Sequence, residues 1–291
     1  MNRDRRKHRF VSPHRIVPNS LGESYEVSTT EKNHPLTQFG FRFERGGPHN
    51  SRTMMLDELR CLLAYVDRPD AEQCHYLQAI TEQNCLGKRS EKTRFLSRRY
   101  LVELYSLDPA KVLFRSLVYF WKRDHAAQPL LAQLCTYVRD PLFRSTAPPL
   151  LAIPEGTIVT SESFEEFVDK QKPGRFSKVT LQSTARNIAA TWTKSGHLCG
   201  KTKKVRTRVH PTSASVAYAL LIGYLTGARG QTLFQTEYMK LLDCEPHQAL
   251  ELAQQAAAKG WLVLKHLGDV VEVLFPNLIT QEEMEWLREQ N

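Results

Sequence analysis

Residues 170–235 contain no aspartate or glutamate, and this absence constrains the fold of the chain more than any other feature. Twelve basic side chains lie in the segment: Lys170, Lys172, Arg175, Lys178, Arg186, Lys194, Lys201, Lys203, Lys204, Arg206, Arg208 and Arg229. Because no acid within the segment can neutralise them, these charges must gather on one solvent-facing surface or be paired with acids from elsewhere in the chain. An ordinary solvated surface mixes both signs of charge. The pattern therefore predicts a face that binds a polyanion such as nucleic acid.

The rest of the chain has the opposite balance. The 291 residues carry a net charge of +9, so those outside 170–235 sum to −3, and residues 237–291 alone hold four basic and ten acidic side chains. We therefore expect the basic segment, and not residues 237–291, to contact nucleic acid. Double-stranded DNA is the expected partner, with RNA as an alternative, because attraction to phosphates applies to both polymers.

The cysteines and the hydropathy exclude several classes of protein. Six cysteines are scattered along the chain without a CxxC pair: Cys61, Cys74, Cys85, Cys135, Cys199 and Cys244. We therefore expect reduced thiols in a cytoplasmic protein rather than a zinc knuckle or a redox pair. No stretch approaches the roughly 18 apolar residues of a membrane span, and the basic first residues lack the apolar segment of a secretory leader.

Apolar residues recur at helical spacing through most of the chain, which predicts a mainly α fold. Residues 1–52 are basic and rich in small polar residues, so we predict a poorly ordered N-terminal arm, with ordered structure beginning near Thr53. Residues 53–150 predict a helical bundle, with helices at 54–65, 70–82, 92–104, 109–121 and 130–138.

Two winged-helix-like units with short β-hairpins are predicted after this bundle. The first, 155–211, is basic, and the second, 212–291, is acidic. The elements predicted in the first are helices at 162–170 and 177–195 and strands at 198–199 and 203–210. Those predicted in the second are helices at 215–225, 236–242 and 246–259 and strands at 261–267 and 270–275.

The second helix of the basic unit is the candidate recognition helix, because in a helix-turn-helix this helix enters the major groove. The residues assigned to DNA contact on it are Lys178, Gln182, Arg186, Asn187 and Lys194. Gln, Asn and Arg can each make paired hydrogen bonds to base edges, whereas Lys is suited to phosphates.

A basic hairpin follows that helix and is the most specific local signal in the chain. The residues assigned to DNA contact on it are Lys201, Lys203, Lys204, Arg206 and Arg208. Residues 204, 206 and 208 alternate with Val205, Thr207 and Val209, so the pattern predicts one cationic and one inward face. Each cation is expected to contact phosphate more often than bases.

A second basic group precedes the hairpin by about a hundred residues. Lys88, Arg89, Arg94 and Arg98 form an auxiliary phosphate site in one interpretation and an ordinary solvated helix face in the other.

Catalytic motifs are missing, so a non-enzymatic protein without cofactor or metal is expected. There is no Walker glycine loop, serine elbow or HExxH motif, and the basic segment has no carboxylates to hold a metal. Arg68 and His75 have the spacing of some ribonucleases, but Pro69 lies between them. His197 and Cys199 suggest a nucleophile pair, although we expect His197 to close the helix and Cys199 to be buried.

The order of these segments resembles a known family. "NCLGKRSEKTR", "LVELYSLDP" and "LLAQLCTYVRDPLF" in residues 84–143 are followed by "SFEEFVDK" and "TLQSTARNIAATWTKSGHL". This pattern is similar to the BrxA-like proteins of bacterial BREX phage-defence islands. The resemblance implies a small helical protein with winged-helix-like parts that binds DNA without catalysis, and other defence-system proteins as partners. The basic arm and the long C-terminal hairpin depart from that pattern.

Three functions agree with these features. The first is a DNA-binding accessory protein of a BREX-type defence system. The second is a winged-helix regulator of its own locus, with the acidic unit forming a homodimer. The third is a structural adaptor whose basic segment docks on an acidic protein.

Overall fold

The first half of the chain folds as the helical bundle that its periodicity predicts. The computed structural model describes residues 34–44, 46–170, 173–268 and 270–289. The helices of this half are α1 (Leu56–Tyr65), α2 (Gln73–Thr81), α3 (Glu91–Tyr105), α4 (Val112–Trp121), α5 (Gln128–Arg139), α6 (Pro141–Arg144) and α7 (Ala147–Leu151). The five predicted helices are confirmed to within a few residues at their ends.

Helix α5 lies at the centre of this bundle. Every residue of it except Pro129 is buried, and it packs against α3 and α4. A helix that is covered on all sides needs no polar face, which explains its run of Leu, Ala, Cys and Val.

Ordered structure starts earlier than Thr53, so that part of the prediction is wrong. The segments Pro35–Phe39 and Pro48–Asn50 form 3₁₀ helices, and Phe39 and Phe41 are buried in the core. Aromatic residues in a polar segment were the available signal for this burial. The predicted arm at 1–33 lies outside the described residues.

The described residues of the basic unit form three short strands around two helices. Its elements are β1 (Ile158–Val159), α8 (Ser161–Asp169), α9 (Lys178–Lys194), β2 (Leu198–Cys199) and β3 (Lys204–Arg206). The strands form an antiparallel sheet in the order β1-β3-β2, with Val205 opposite both Ile158 and Cys199. Strand β1 was not predicted, because two residues are too few to show an alternation of apolar and polar side chains.

The last part of the chain adds four α-helices, a 3₁₀ helix and a hairpin among the described residues. Its elements are α10 (Ser213–Leu225), a 3₁₀ helix (Gly230–Gln235), α11 (Glu237–Lys240), α12 (Pro246–Ala258), β4 (Val263–Leu267), β5 (Val270–Leu274) and α13 (Gln281–Glu289). The antiparallel hairpin pairs Leu267 with Val270 at its tip. Helix α13 was not predicted, although Thr280 and Glu283 form the T-x-x-E pattern of a capping box.

Helix α10 joins this last part to the bundle. All of its residues are buried, and it packs against α4, α5, α11 and α12. The hydroxyl of Tyr218 donates to the carbonyl of Leu113 at 3.0 Å. One apolar core therefore runs from Phe39 to Leu287 through all of the predicted units.

The fold is mainly helical with small antiparallel sheets. Within the described ranges, no helix combines the length and the apolar character needed to cross a bilayer.

Candidate nucleic-acid interface

Helix α9 has one buried and one exposed face. Its N-terminus is capped by the side chain of Ser177, which accepts a hydrogen bond from the amide of Thr180. The buried face carries Thr184, Ala185, Ile188, Thr191 and Trp192. The exposed residues of the first half of the helix, hereafter the α9 stripe, are Lys178, Val179, Gln182 and Arg186. Gln182 follows Lys178 and Val179 by four and three residues, and Arg186 follows Gln182 by four, so the set lies along one side of the helix.

Trp192 fixes the C-terminal half of α9 to the bundle. Its indole nitrogen donates to the hydroxyl of Thr146 at 3.0 Å, and its ring centroid lies 4.7 Å from that of Phe143. Since the side chain is fully buried, the helix cannot rotate without breaking this contact.

A second attachment comes from the segment Pro48–Asn50. Nδ1 of His49 lies 2.7 Å from Oδ2 of Asp140, and Nε2 of the same ring lies 2.9 Å from Oγ1 of Thr191. The same hydroxyl accepts the amide hydrogen of Met54 at 2.9 Å. This set of bonds ties α9 to the junction of α5 and α6.

The order Thr191, His49, Asp140 matches the order of groups in a hydrolase triad. All three side chains are fully buried, and none of them lines any of three surface cavities of about 410 to 490 Å³ among the described residues. A nucleophile must reach its substrate, so this geometry serves to hold elements together.

Asn187 does not belong to the α9 stripe, and its prediction as an outward base reader is wrong. The side chain is half-buried, and its amide nitrogen donates to the carbonyl of His49 at 3.0 Å. The helical spacing placed it near the exposed face, but no local pattern indicates that residues 48–50 cover that position.

A groove runs between α9 and the hairpin of β2 and β3. It encloses about 490 Å³, and the ends of β1 and α8 form its other walls. The cations that line it, hereafter the groove cations, are Arg186, Lys201, Lys203 and Lys204. Among the described residues, none of the four has an acidic partner, and Glu162 is the single acid in the lining.

The hairpin turn itself depends on Gly200. Its φ is +91°, and a Cβ at this position would lie 2.1 Å from the carbonyl oxygen of Lys203. Lys204 crosses the same turn, because its Nζ donates to the carbonyl of Gly200 at 2.8 Å. The tight turn brings Lys201 and Lys203 to the mouth of the groove.

Arg206 is buried, so its prediction as a phosphate contact is wrong. Its side chain is 4% exposed and forms two hydrogen bonds with the carboxylate of Asp243, at 2.6 and 2.9 Å. Strand β3 is the central strand of its sheet, and one of its faces meets the turn between α11 and α12. The prediction of one outward face for 204, 206 and 208 therefore fails at its middle position.

Two further predicted contacts are paired with acids from outside the basic segment. Nη1 of Arg208 lies 3.1 Å from Glu245, and Nζ of Lys194 lies 2.7 Å from Asp57. The hydrogen bond from Lys194 lowers the pKa of Asp57. These pairs remove part of the positive charge that the sequence placed on the interface.

His197 lies at the same junction between the basic and the acidic unit. Its amide donates to the carbonyl of Trp192 at 3.0 Å, which closes α9 as predicted. Its ring Nε2 donates to the carbonyl of Leu241 at 2.8 Å. Complete burial lowers the pKa of this imidazole to about 4. Cys199 is exposed, so the prediction that it is buried is wrong.

The auxiliary group is only partly available. Nζ of Lys88 lies 3.1 Å from Glu58, which makes this residue an ion-pair member rather than a free cation. Arg94 and Arg98 are half-buried on α3, while Arg89 is exposed. The solvated-face interpretation fits Arg89 alone, and a phosphate site here stays a prediction.

In the part of the chain that the structure describes, no cluster of three or more His, Cys, Asp or Glu side chains is arranged to hold a metal ion. Comparison with known proteins adds no assignment, since no family model matches the chain and no curated protein matches it.

Proposed function

We propose that this protein is a non-catalytic accessory factor that binds double-stranded DNA. The groove cations, Arg186 included, contact phosphates, and α9 enters the major groove with Val179 and Gln182 of its stripe toward the bases. The observation that carries the proposal is the convergence of four cations without acidic partners, among the described residues, beside an exposed helix face.

The topology of the basic unit supports this assignment. Strand, helix, helix and hairpin follow one another as β1, α8, α9, β2 and β3, and the sheet order is β1-β3-β2. We assign this arrangement to the winged-helix class, with α9 as recognition helix and residues 200–203 as the wing. In helix-turn-helix proteins the second helix of the pair lies in the major groove.

Charge argues for phosphate as the ligand of the groove. A cation that neutralises a DNA phosphate releases condensed counterions, and this entropy gain drives binding. Four groove cations predict that log K falls with log salt at a slope of about −3 to −4. Glu162, the acid found in the lining among the described residues, lies at the start of α8, and the four cations outnumber it.

Duplex DNA suits the geometry better than duplex RNA. The major groove of B-DNA admits an α-helix, whereas that of A-form RNA is too deep and narrow for side chains to read. The α9 stripe therefore has a natural site on DNA, and we expect a duplex of the same sequence in RNA to bind more weakly.

The acidic unit repeats a similar order of elements, but its hairpin differs in charge. Lys265 of β4 lies 2.7 Å from Glu272 of β5, so its charge is neutralised within the hairpin. The tip carries exposed Leu267 and Val270 instead of cations. This unit is not suited to phosphates, and we assign DNA contact to the basic unit alone. The BREX phage-defence role implied by the resemblance to BrxA-like proteins is part of the proposal.

The test is an electrophoretic shift of duplex DNA by the full chain at increasing salt. Substituting Lys201, Lys203 and Lys204 by Glu is expected to abolish the shift. The matched control substitutes Lys92, Lys240 and Arg288, three exposed cations away from the groove, by Glu. Since both variants change net charge equally, only the groove variant should lose binding.

Binding by the groove variant at moderate salt would overturn the proposal. Retention of an acidic protein but not of DNA by the unsubstituted chain would favour the adaptor function instead.

A further inference from the structure

The N-terminal half of α9 exposes an apolar side chain that the fold does not use. Val179 is 75% exposed and makes no contribution to the core. A β-branched residue also favours a helix less than Ala does. Neither packing nor helix propensity accounts for a valine at this position.

Single exposed apolar residues are common on soluble proteins, so exposure alone assigns nothing. The position of Val179 within the α9 stripe is the informative observation. Gln182 and Arg186 follow it at i+3 and i+7, which places the three side chains on one side of the helix. The stripe thus presents an apolar group, an amide and a guanidinium in succession.

Gln182 is also available for a ligand. Its side-chain amide has no hydrogen-bond partner among the described residues. The side chain of Arg186 bonds to the backbone of Gln182 instead, since its Nε donates to the carbonyl at 3.3 Å. Asn187, the other amide side chain on this helix turn, is engaged with His49. Gln182 is therefore the free amide of the helix in the region that faces away from the bundle.

The two side chains match the two halves of one base pair. A glutamine amide can bond to N6 and N7 of adenine, and an apolar side chain packs on the C5-methyl group of thymine. Three residues span about 4.5 Å along a helix axis, and neighbouring base pairs are about 3.4 Å apart. Val179 and Gln182 can thus address the same or adjacent pairs.

We infer that Val179 and Gln182 form a base-reading pair that selects an A·T-containing step in the major groove of duplex DNA. Val179 contacts a thymine methyl group, and Gln182 bonds to the adenine edge. The inference rests on the function proposed above, because it needs α9 in a major groove. It assigns sequence preference to the first turns of α9 and affinity to the groove cations.

The experiment replaces thymine by uracil, which removes the methyl group and leaves base pairing unchanged. The duplex is the one that the full-length protein enriches most from a randomised pool. We expect the unsubstituted protein to bind its uracil form about fourfold more weakly, since one buried methyl contributes about 0.8 kcal/mol. We expect Val179→Ala to bind the thymine and uracil forms equally.

Gln182→Ala should keep the preference for thymine over uracil but lose discrimination at the adenine position. Because both side chains are exposed, neither variant should lower the temperature of thermal unfolding, which separates a reading defect from misfolding.

The outcomes separate the two proposals. Salt-dependent binding with no difference between thymine and uracil would overturn the reading pair and leave DNA binding intact. A uracil defect that persists in Val179→Ala would assign the methyl contact to another residue and likewise overturn the inference. Failure to retain either duplex would overturn both.

Discussion

The guanidinium of Arg206 forms two hydrogen bonds with the carboxylate of Asp243, at 2.6 and 2.9 Å, across 37 residues of sequence. This pair connects the hairpin of the basic unit to the turn that precedes α12. The same turn supplies the carbonyl of Leu241 to His197 and the carboxylate of Glu245 to Arg208. The hairpin is therefore held at its base by the acidic unit, while its cationic tip faces the groove.

The buried pair should contribute to stability rather than to DNA binding. Asp243→Asn leaves Arg206 buried without its charge partner, and we expect a loss of about 3 kcal/mol in the free energy of unfolding. Urea unfolding measures the loss. Glu245→Gln is the matched control, because its pair with Arg208 is half exposed and such pairs contribute about 1 kcal/mol or less. Equal losses in the two variants would show that the buried pair contributes no more to stability than the half-exposed pair.

His197 should make stability fall with acid. Burial lowers the pKa of this imidazole from 6.5 to about 4, so between these values the unfolded chain binds the extra proton and the folded chain does not. The contribution of His197 to the free energy of unfolding is then fully present above pH 6.5 and is lost as the pH falls toward 4. The expected loss is on the order of 3 kcal/mol. Denaturant titrations at several pH values measure it.

His197→Gln should flatten that pH dependence. The Gln amide can still donate to the carbonyl of Leu241, but it does not titrate in this range. His247→Gln, on an exposed side chain, is the control. An unchanged slope in His197→Gln would mean that another group carries the acid sensitivity.

Gly47 should tolerate no side chain. A Cβ at this position would lie 1.8 Å from Oδ1 of Asp140, the carboxylate that binds His49. We expect Gly47→Ala to lower the free energy of unfolding by about 2 to 3 kcal/mol, as overpacked sites do. Hydrogen exchange should also show faster opening at residues 48–50.

Ser51→Ala, on an exposed side chain at the end of the same 3₁₀ helix, is the control for Gly47→Ala and should leave both measurements near those of the unsubstituted protein. Normal stability in Gly47→Ala would show that the segment moves aside at little cost.

Single groove cations should act additively on the salt dependence of DNA binding. Lys201→Ala and Lys203→Ala are each expected to reduce the slope of log K against log salt by about 0.9, with similar losses on all sequences. Fluorescence anisotropy at several salt concentrations measures the slope.

Lys194→Ala is the matched control for the groove cations, because this lysine belongs to the same basic segment but is already paired with Asp57. A slope change as large as that of Lys203→Ala would show that the pair with Asp57 opens on binding.

Local patterns predicted much of the helical fold. The periodicity of 177–195 identified α9, because a helix with one buried face shows that face within its own residues. Helix α5 is buried on all sides and was identified as an apolar run that ends at Asp140-Pro141. The same periodicity predicts the stripe residues Lys178, Gln182 and Arg186. These features depend on neighbours in sequence, which the pattern contains.

Contacts between residues far apart in sequence leave no local pattern. Whether Arg206 faces solvent or Asp243 depends on how two units pack, and no spacing rule reports that. Asn187 was misassigned for the same reason, since its partner lies 138 residues away. The absence of acids within 170–235 indicated a cationic surface, but acids from other segments neutralise part of it.

The double attachment of α9 through Trp192 and Thr191 bears on the thermodynamics of any ligand at its exposed face. Both attachments hold the C-terminal half of the helix, and α8 packs against it as well, so the backbone that carries the stripe is ordered before a ligand arrives. Binding then loses little main-chain entropy, and the ordering cost is confined to a few long side chains. Any deformation on docking would have to occur in the ligand. The affinity of this surface for a duplex should therefore depend on how easily that duplex bends.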